Sequence, residues 1–197
     1  MSTLSASSLP RSKYRGAIVA MLFALSAASC VTTRARFDEG TREITARGEN
    51  TDEVVYRVGP IPAEWRRLTL HEGADMAWEV PASGVVVHTT HACGRSMDSP
   101  LPSLVQQLLI GFTDREFVEE ETLALDGREA RHVLVRAKLD GRPIMLEIVV
   151  LKKDGCVFDL SASGEPERLP AVRAAFRALF EGLRVRSTPL ARAAEGS

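Results

Sequence analysis

The sequence predicts an α+β fold: a single domain built on an antiparallel sheet and flanked by two amphipathic helices. Three observations predict it. Asp-Gly pairs stand at Asp126-Gly127, Asp140-Gly141 and Asp154-Gly155, 14 residues apart each time. Between them run REARHVLVRAKL, RPIMLEIVVLKK and CVFDLSAS, rich in β-branched and aromatic residues. Two further segments repeat their apolar residues at helical spacing, around residues 101–109 and 169–183.

In chain order, the first segment reads as a bacterial lipoprotein signal over residues 1–29. Arg11, Lys13 and Arg15 form a positive n-region, and Gly16 to Ala28 is an apolar run too short to span a bilayer comfortably. LSAASC follows, small residues running into Cys30 as in a lipobox, although Ala27 stands where Leu is commoner. Cys30 is therefore the expected lipidation site. An ordinary secretory signal cut at an Ala-x-Ala-like site is the alternative, and either reading exports the mature chain. Residues 30–53 hold few large apolar residues and no period, which predicts a flexible tether. Residues 186–197 read as a disordered tail, leaving 54–185 as the globular domain.

Within that domain, Val54–Val58, Arg66–Leu70, Met76–Val80 and Val85–Thr90 are short strand candidates. Ser99-Pro100 resembles an N-cap followed by proline, and Leu101, Leu104, Val105, Leu108 and Leu109 fall on one helical face before Gly111. The Asp-Gly pairs favour type I′ turns, whose two central residues need positive φ, so four strands over about 115–125, 128–139, 142–152 and 156–163 form a meander. In the second strand Val133, Val135, Ala137 and Leu139 share one face, and His132, Leu134, Arg136 and Lys138 the other. The third strand is apolar on both faces, as a central, doubly covered strand would be. Leu169, Val172, Phe176, Leu179, Phe180 and Leu183 make the last helical stripe.

This order of elements resembles the Mog/PsbP-like α/β/α sandwich and, more narrowly, uncharacterised Gram-negative lipoproteins of that type. The carrying segments are PIPAEWRRL, ADMAWEVP, LLIGFTDRE and LDGREA, followed by the final amphipathic helix. The resemblance covers about residues 54–185 and implies an accessory, assembly or partner-binding protein rather than an enzyme.

Composition narrows the function classes. Residues 1–29 contain three basic residues and no acidic one, so 22 basic and 26 acidic residues remain, a balance with no field for nucleic acid. The provocative cluster is His88-Thr-Thr-His91-Ala-Cys93. In a strand, His91 and Cys93 share one face and His88 points to the other, and no CxxC or HxxxH partner exists elsewhere. His88 and His91 are thus weak metal candidates, and neither metal nor cofactor is expected. Glu119-Glu120-Glu121 reads as a solvated charge run, and Trp65 and Trp78, the two tryptophans of the chain, as core. No GxSxG, SxxK or HExxH stands in the chain, so catalysis is not expected.

With Cys30 spent on lipid, Cys93 and Cys156 form an even pair in an oxidising compartment, which predicts a disulfide. Cys93 closes one strand candidate and Cys156 opens another; the family resemblance is what makes those strands neighbours. Two separate buried thiols are the alternative. The expected function is a lipid-anchored periplasmic accessory protein at the outer membrane, contacting the membrane through its anchor and binding a protein partner. A periplasmic hydrolase using Cys93 and a carrier of a small apolar ligand are the alternatives, the first excluded by a disulfide and the second by a filled core.

Overall fold

A meander of long strands forms the body of the molecule, and the computed structural model describes residues 34–47, 53–70, 73–94 and 99–188. Its strands are β7 (Thr113–Leu125), β8 (Arg128–Leu139), β9 (Arg142–Lys153) and β10 (Cys156–Gly164). Each Asp-Gly turn has positive φ at both residues: 48° and 74° at Asp126-Gly127, 49° and 77° at Asp140-Gly141, 50° and 73° at Asp154-Gly155. These are the conformations a type I′ turn requires. β4 (Arg66–Arg67), β5 (Met76–Val80) and β6 (Val85–Cys93) extend the meander into a seven-stranded antiparallel sheet, ordered β4-β5-β6-β10-β9-β8-β7.

A second sheet, unforeseen in the sequence, corrects the tether. Arg34–Asp38 (β1) and Glu43–Arg47 (β2) lie inside the segment read as flexible and pair as an antiparallel hairpin. β2 pairs in turn with β3 (Glu53–Arg57), and β3 with β11 (Arg184–Ser187), giving the order β1-β2-β3-β11. One face of this small sheet is apolar: Ile44, Ala46, Val54 and Tyr56 are buried, with Ala35, Phe37 and Val185 packed beside them. β11 also shortens the expected tail, since Ser187 is still paired and Thr188 is fully buried. Cys30 and residues 189–197 lie outside the described residues.

Both faces of the seven-stranded sheet are covered, as the doubly apolar β9 requires. Helix α1 (Leu101–Leu108) lays Leu104 and Val105, with Leu109 just past its end, over Val133, Val135, Ala137, Leu146, Ile148 and Val150. The cap is Pro100 rather than Ser99, and no side chain caps the helix. Helix α2 (Arg173–Glu181) covers the other face beside the small sheet, burying Phe176, Leu179 and Phe180 against a core that includes Leu134, Val149, Leu151 and Phe158. A 3-10 turn over Leu169–Ala171 precedes α2, where Pro170 interrupts the helical stripe.

The loop after β3 touches the end of α2 at two glycines. A Cβ on Gly59 would meet the Ala178 carbonyl oxygen at 2.0 Å, and one on Gly182 would meet the Gly59 Cα at 2.3 Å. Gly59 N–H donates to Leu179 O at 2.7 Å, so contact this close is bonded as well as packed.

Candidate functional site

The cysteines lie in register. Cys156 pairs with Cys93 across β10 and β6 with a Cα separation of 4.1 Å, and their sulfurs are bonded. Neither is a free thiol, which removes the hydrolase nucleophile. The faces of the two strands likewise separate the histidines. His88 meets Ser161 on one side of the sheet, with Ser161 Oγ 3.1 Å from Nε2. His91 belongs to the opposite, inner side, with its Nδ1 2.8 Å from Asp75 Oδ2. No cluster of three His, Cys, Asp or Glu that could hold a metal ion occurs among the described residues.

His91 is part of a buried polar chain between the sheets. Tyr56 O–H donates to Asp75 Oδ2 at 2.7 Å and lies 2.9 Å from Thr89 Oγ1, while its ring packs edge-on against Phe158. Burial, reinforced by the Asp75 charge, holds the Tyr56 phenol well above its usual range, so it acts as a donor and not as a phenolate. On the outer side of β10, burial raises the Asp159 carboxyl to about 7, opposed by a hydrogen bond from Thr90.

A second network pins α2 to the sheet. His132, on the face it shares with Leu134, Arg136 and Lys138, is fully buried: Nδ1 is 2.6 Å from Glu121 Oε1, and Nε2 is 2.8 Å from Glu147 Oε1. Arg173 bonds Glu147 through Nε at 3.1 Å and grips Glu119 with both terminal nitrogens, at 2.9 and 2.6 Å. Arg177 bonds Glu121 at 2.9 Å and lies over the Phe180 ring. Hydrogen bonds from Arg173 and Arg177 hold the Glu119 and Glu121 carboxyls below the usual range. Glu119 and Glu121 of the acidic run, exposed as a solvated charge run would be, also tie α2 to the sheet, while Glu120 pairs with Arg131 of β8. The signal of that tie was present in the sequence only as Arg173 and Arg177, one helical turn apart.

Among the described residues, an open cleft lies between two edge strands, β1 of the small sheet and β4 of the large one. One end is a hollow of about 440 Å³, lined by Phe37, Glu39, Arg42, Pro60, Ile61, Pro62, Ala63, Trp65, Arg67 and Trp78. The other, about 570 Å³, runs past Ala35, Arg36, Leu68, Thr69, Leu70, Ala74, Asp75 and Met76, and shares Phe37 and Arg67 with the first. Trp65 and Trp78 are core residues, as expected, at 7% and 2% exposure, and their edges also wall the cleft. Phe37 packs edge-on against Trp78 at 5.7 Å between ring centroids. Arg42, in the turn between β1 and β2, has φ 58°, and its Nε is buried with no hydrogen-bond partner among the described residues.

The class defined by this architecture is an α+β fold resembling those of PsbP and Mog1; among the described residues no helix is long and apolar enough to cross a membrane. The chain is similar in structure to cyanobacterial PsbP from Synechocystis sp., with 11% identity, TM-score 0.50, and coverage of 84% of this chain and 99% of that one. It is similar to LpqN of Mycobacterium tuberculosis, described as involved in cell envelope biogenesis (15% identity, TM-score 0.51, 74% and 91% covered). It is also similar to the Saccharomyces cerevisiae Ran-binding protein Mog1p (12% identity, TM-score 0.51, 79% and 96% covered). At these identities the likeness is one of fold. No family model matches the chain, and no curated protein matches it in sequence.

Proposed function

We propose that the protein is a lipid-anchored periplasmic accessory protein of the outer membrane that binds a protein partner in the cleft between β1 and β4, without catalysis. The observation that carries the reading is the cleft itself: two edge strands with no further strand beside them among the described residues, an aromatic wall of Phe37, Trp65 and Trp78, and Arg42 and Arg67 with no carboxylate partner among the described residues. Aromatic and arginine side chains are the residues that dominate protein interfaces. A fold shared with a Ran-binding protein and with an envelope-biogenesis protein supports the same reading. The covers of the large sheet fill the space an apolar carrier would need for its ligand, with Phe158, Phe176, Phe180, Leu151 and Leu160 fully buried.

The hairpin found in place of a tether changes how such an anchor would act. β1 begins at Arg34, four residues after Cys30, and four residues reach at most about 14 Å. Lipidated at Cys30, the domain would be held against the bilayer surface, and several acyl chains would make that attachment effectively permanent. Affinity capture from mildly cross-linked envelopes tests the whole reading. Wild type and an Ile110→Asp variant, altered at a residue 77% exposed and remote from the cleft, should retain the same companion protein. Ile61→Asp, in the cleft wall, should lose it, and Cys30→Ala should leave the membrane fraction. Identical companions for Ile61→Asp and wild type, or a Cys30→Ala form that stays membrane-bound, would overturn the corresponding half.

A further inference from the structure

We infer that the cleft is built for an extended acidic segment of a partner protein, which adds to the open edge of β1 and places a carboxylate on Arg42. The inference rests on the partner-binding reading above and names the chemistry of the partner at that site.

Arg42 carries two unfavourable features at once. It is held at φ 58°, a left-handed conformation that the other described residues with positive φ adopt as Asp or Gly. Its backbone carbonyl accepts Val58 N–H at 3.1 Å, which fixes the turn. The side chain then enters the cleft wall with Nε buried and unsatisfied. A buried donor without a partner costs roughly 1–3 kcal/mol, and strain of this kind persists where the surroundings over-determine it. Arg57 Nε is also unsatisfied, but alternation along β3 sends Arg57 to the face opposite Tyr56, away from the core.

The charges around Arg42 point to an anion. Arg67 lines both hollows and, like Arg42, has no carboxylate partner among the described residues. Arg36 lines the second hollow as well, while Asp38 on the same strand is engaged chiefly by Thr41, whose N–H donates to its Oδ1 at 2.8 Å. The Asp75 carboxylate is taken up by Tyr56 and His91, which leaves Glu39 as the other acid lining the hollows, against Arg36, Arg42 and Arg67. A guanidinium presents a planar fork of donors that a carboxylate accepts two at a time.

The backbone fixes the shape of the occupant. Among the described residues β1 pairs with β2 on one side only, so its other edge offers N–H and C=O groups along the cleft. An extended chain there gains main-chain hydrogen bonds from β1, while alternate side chains enter the aromatic hollow and reach the arginines.

Site-specific photocross-linking tests this. A photoreactive residue is placed at Glu39, exposed on the cleft rim, in the full-length protein within its own envelope, and the cross-linked peptide is sequenced by mass spectrometry. The expected adduct is a protein segment with two or more Asp or Glu residues alternating with apolar ones. Its yield should fall about tenfold in Arg42→Gln, the factor lost with one charge-assisted hydrogen bond. If Arg42→Gln melts early, Arg67→Gln, which is exposed, gives the same readout. A neutral or basic segment, or a yield indifferent to both substitutions, overturns the acidic-segment inference and leaves partner binding standing. Adducts to lipid alone, or no adduct at Glu39, overturn both.

Discussion

Replacing Cys93 and Cys156 together by alanine cuts the covalent link between β6 and β10 and releases a loop whose ends are 63 residues apart in sequence. That loop contains α1 and the strands β7, β8 and β9, most of the meander. In the chain-entropy model a loop of this length contributes about 4 kcal/mol by restricting the unfolded chain. A domain of this size loses about 2–4 °C of Tm per kcal/mol, so the double variant should melt about 10 °C below the parent. The assay is thermal unfolding by circular dichroism, in a Cys30→Ala background without the signal, so that no other cysteine contributes. Adding reductant to the parent should reproduce most of the shift and have no effect on the double variant. A difference below about 2 °C would refute the loop-closure reasoning, because the strand register alone would then hold β6 on β10.

Three further substitutions probe the parts that the sequence concealed. His132→Leu leaves the Glu147 carboxylate buried, with Arg173 as its remaining charged partner, and should cost about 3–5 kcal/mol in urea unfolding; an unchanged midpoint would show that the clamp on α2 is idle. Gly182→Ala drives a methyl group into the Gly59 backbone and should cost at least about 1–3 kcal/mol, whereas Gly40→Ala, whose new methyl meets only Asp38 Oδ1 at 3.4 Å, should cost less. Asp159 gives the pH dependence: its folded pKa of about 7 lies above the ordinary carboxylate value, so the folded form keeps its proton while the unfolded chain gives it up. This contribution is fully present below about pH 4 and fades as pH rises through 7. Asp159→Asn should therefore raise Tm at pH 8 and change it little at pH 4; an equal effect at both would contradict the assignment.

The sequence was legible where one local cause decided the structure. Three Asp-Gly turns fixed the meander to within a residue or two at each strand, because only a few residues accept positive φ at both turn positions. The apolar face of β8 was visible as Val133, Val135 and Ala137, since period-two alternation survives in a long strand. The disulfide agrees with the expectation drawn from counting cysteines in a chain read as exported. β1 and β2 were missed because RARFD and EITAR are five residues each, with Phe37, Ile44 and Ala46 their main apolar contributions. Their turn, Glu39-Gly40-Thr41-Arg42, holds a glycine but puts its positive φ on Arg42, so no Asp-Gly pair marked the hairpin. The burial of His132 was not legible because alternation assigns a face, not what covers it, and its cover comes from α2, some 40 residues further on. The cleft had no motif at all: Phe37, Arg42, Trp65 and Trp78 meet only once the two sheets are stacked.

Docking on β1 is tested most directly by hydrogen exchange of the protein in its cellular setting, compared with the purified domain. Peptides covering β1 (residues 34–38) and the facing segment 60–70 report the cleft, and those covering β7 (residues 113–125) report the opposite edge of the large sheet. A partner docked on β1 pairs its free amides, so the account predicts slowed exchange in β1 and 60–70 and unchanged exchange in β7. Slowing confined to β7, or identical exchange in the two settings, would contradict it.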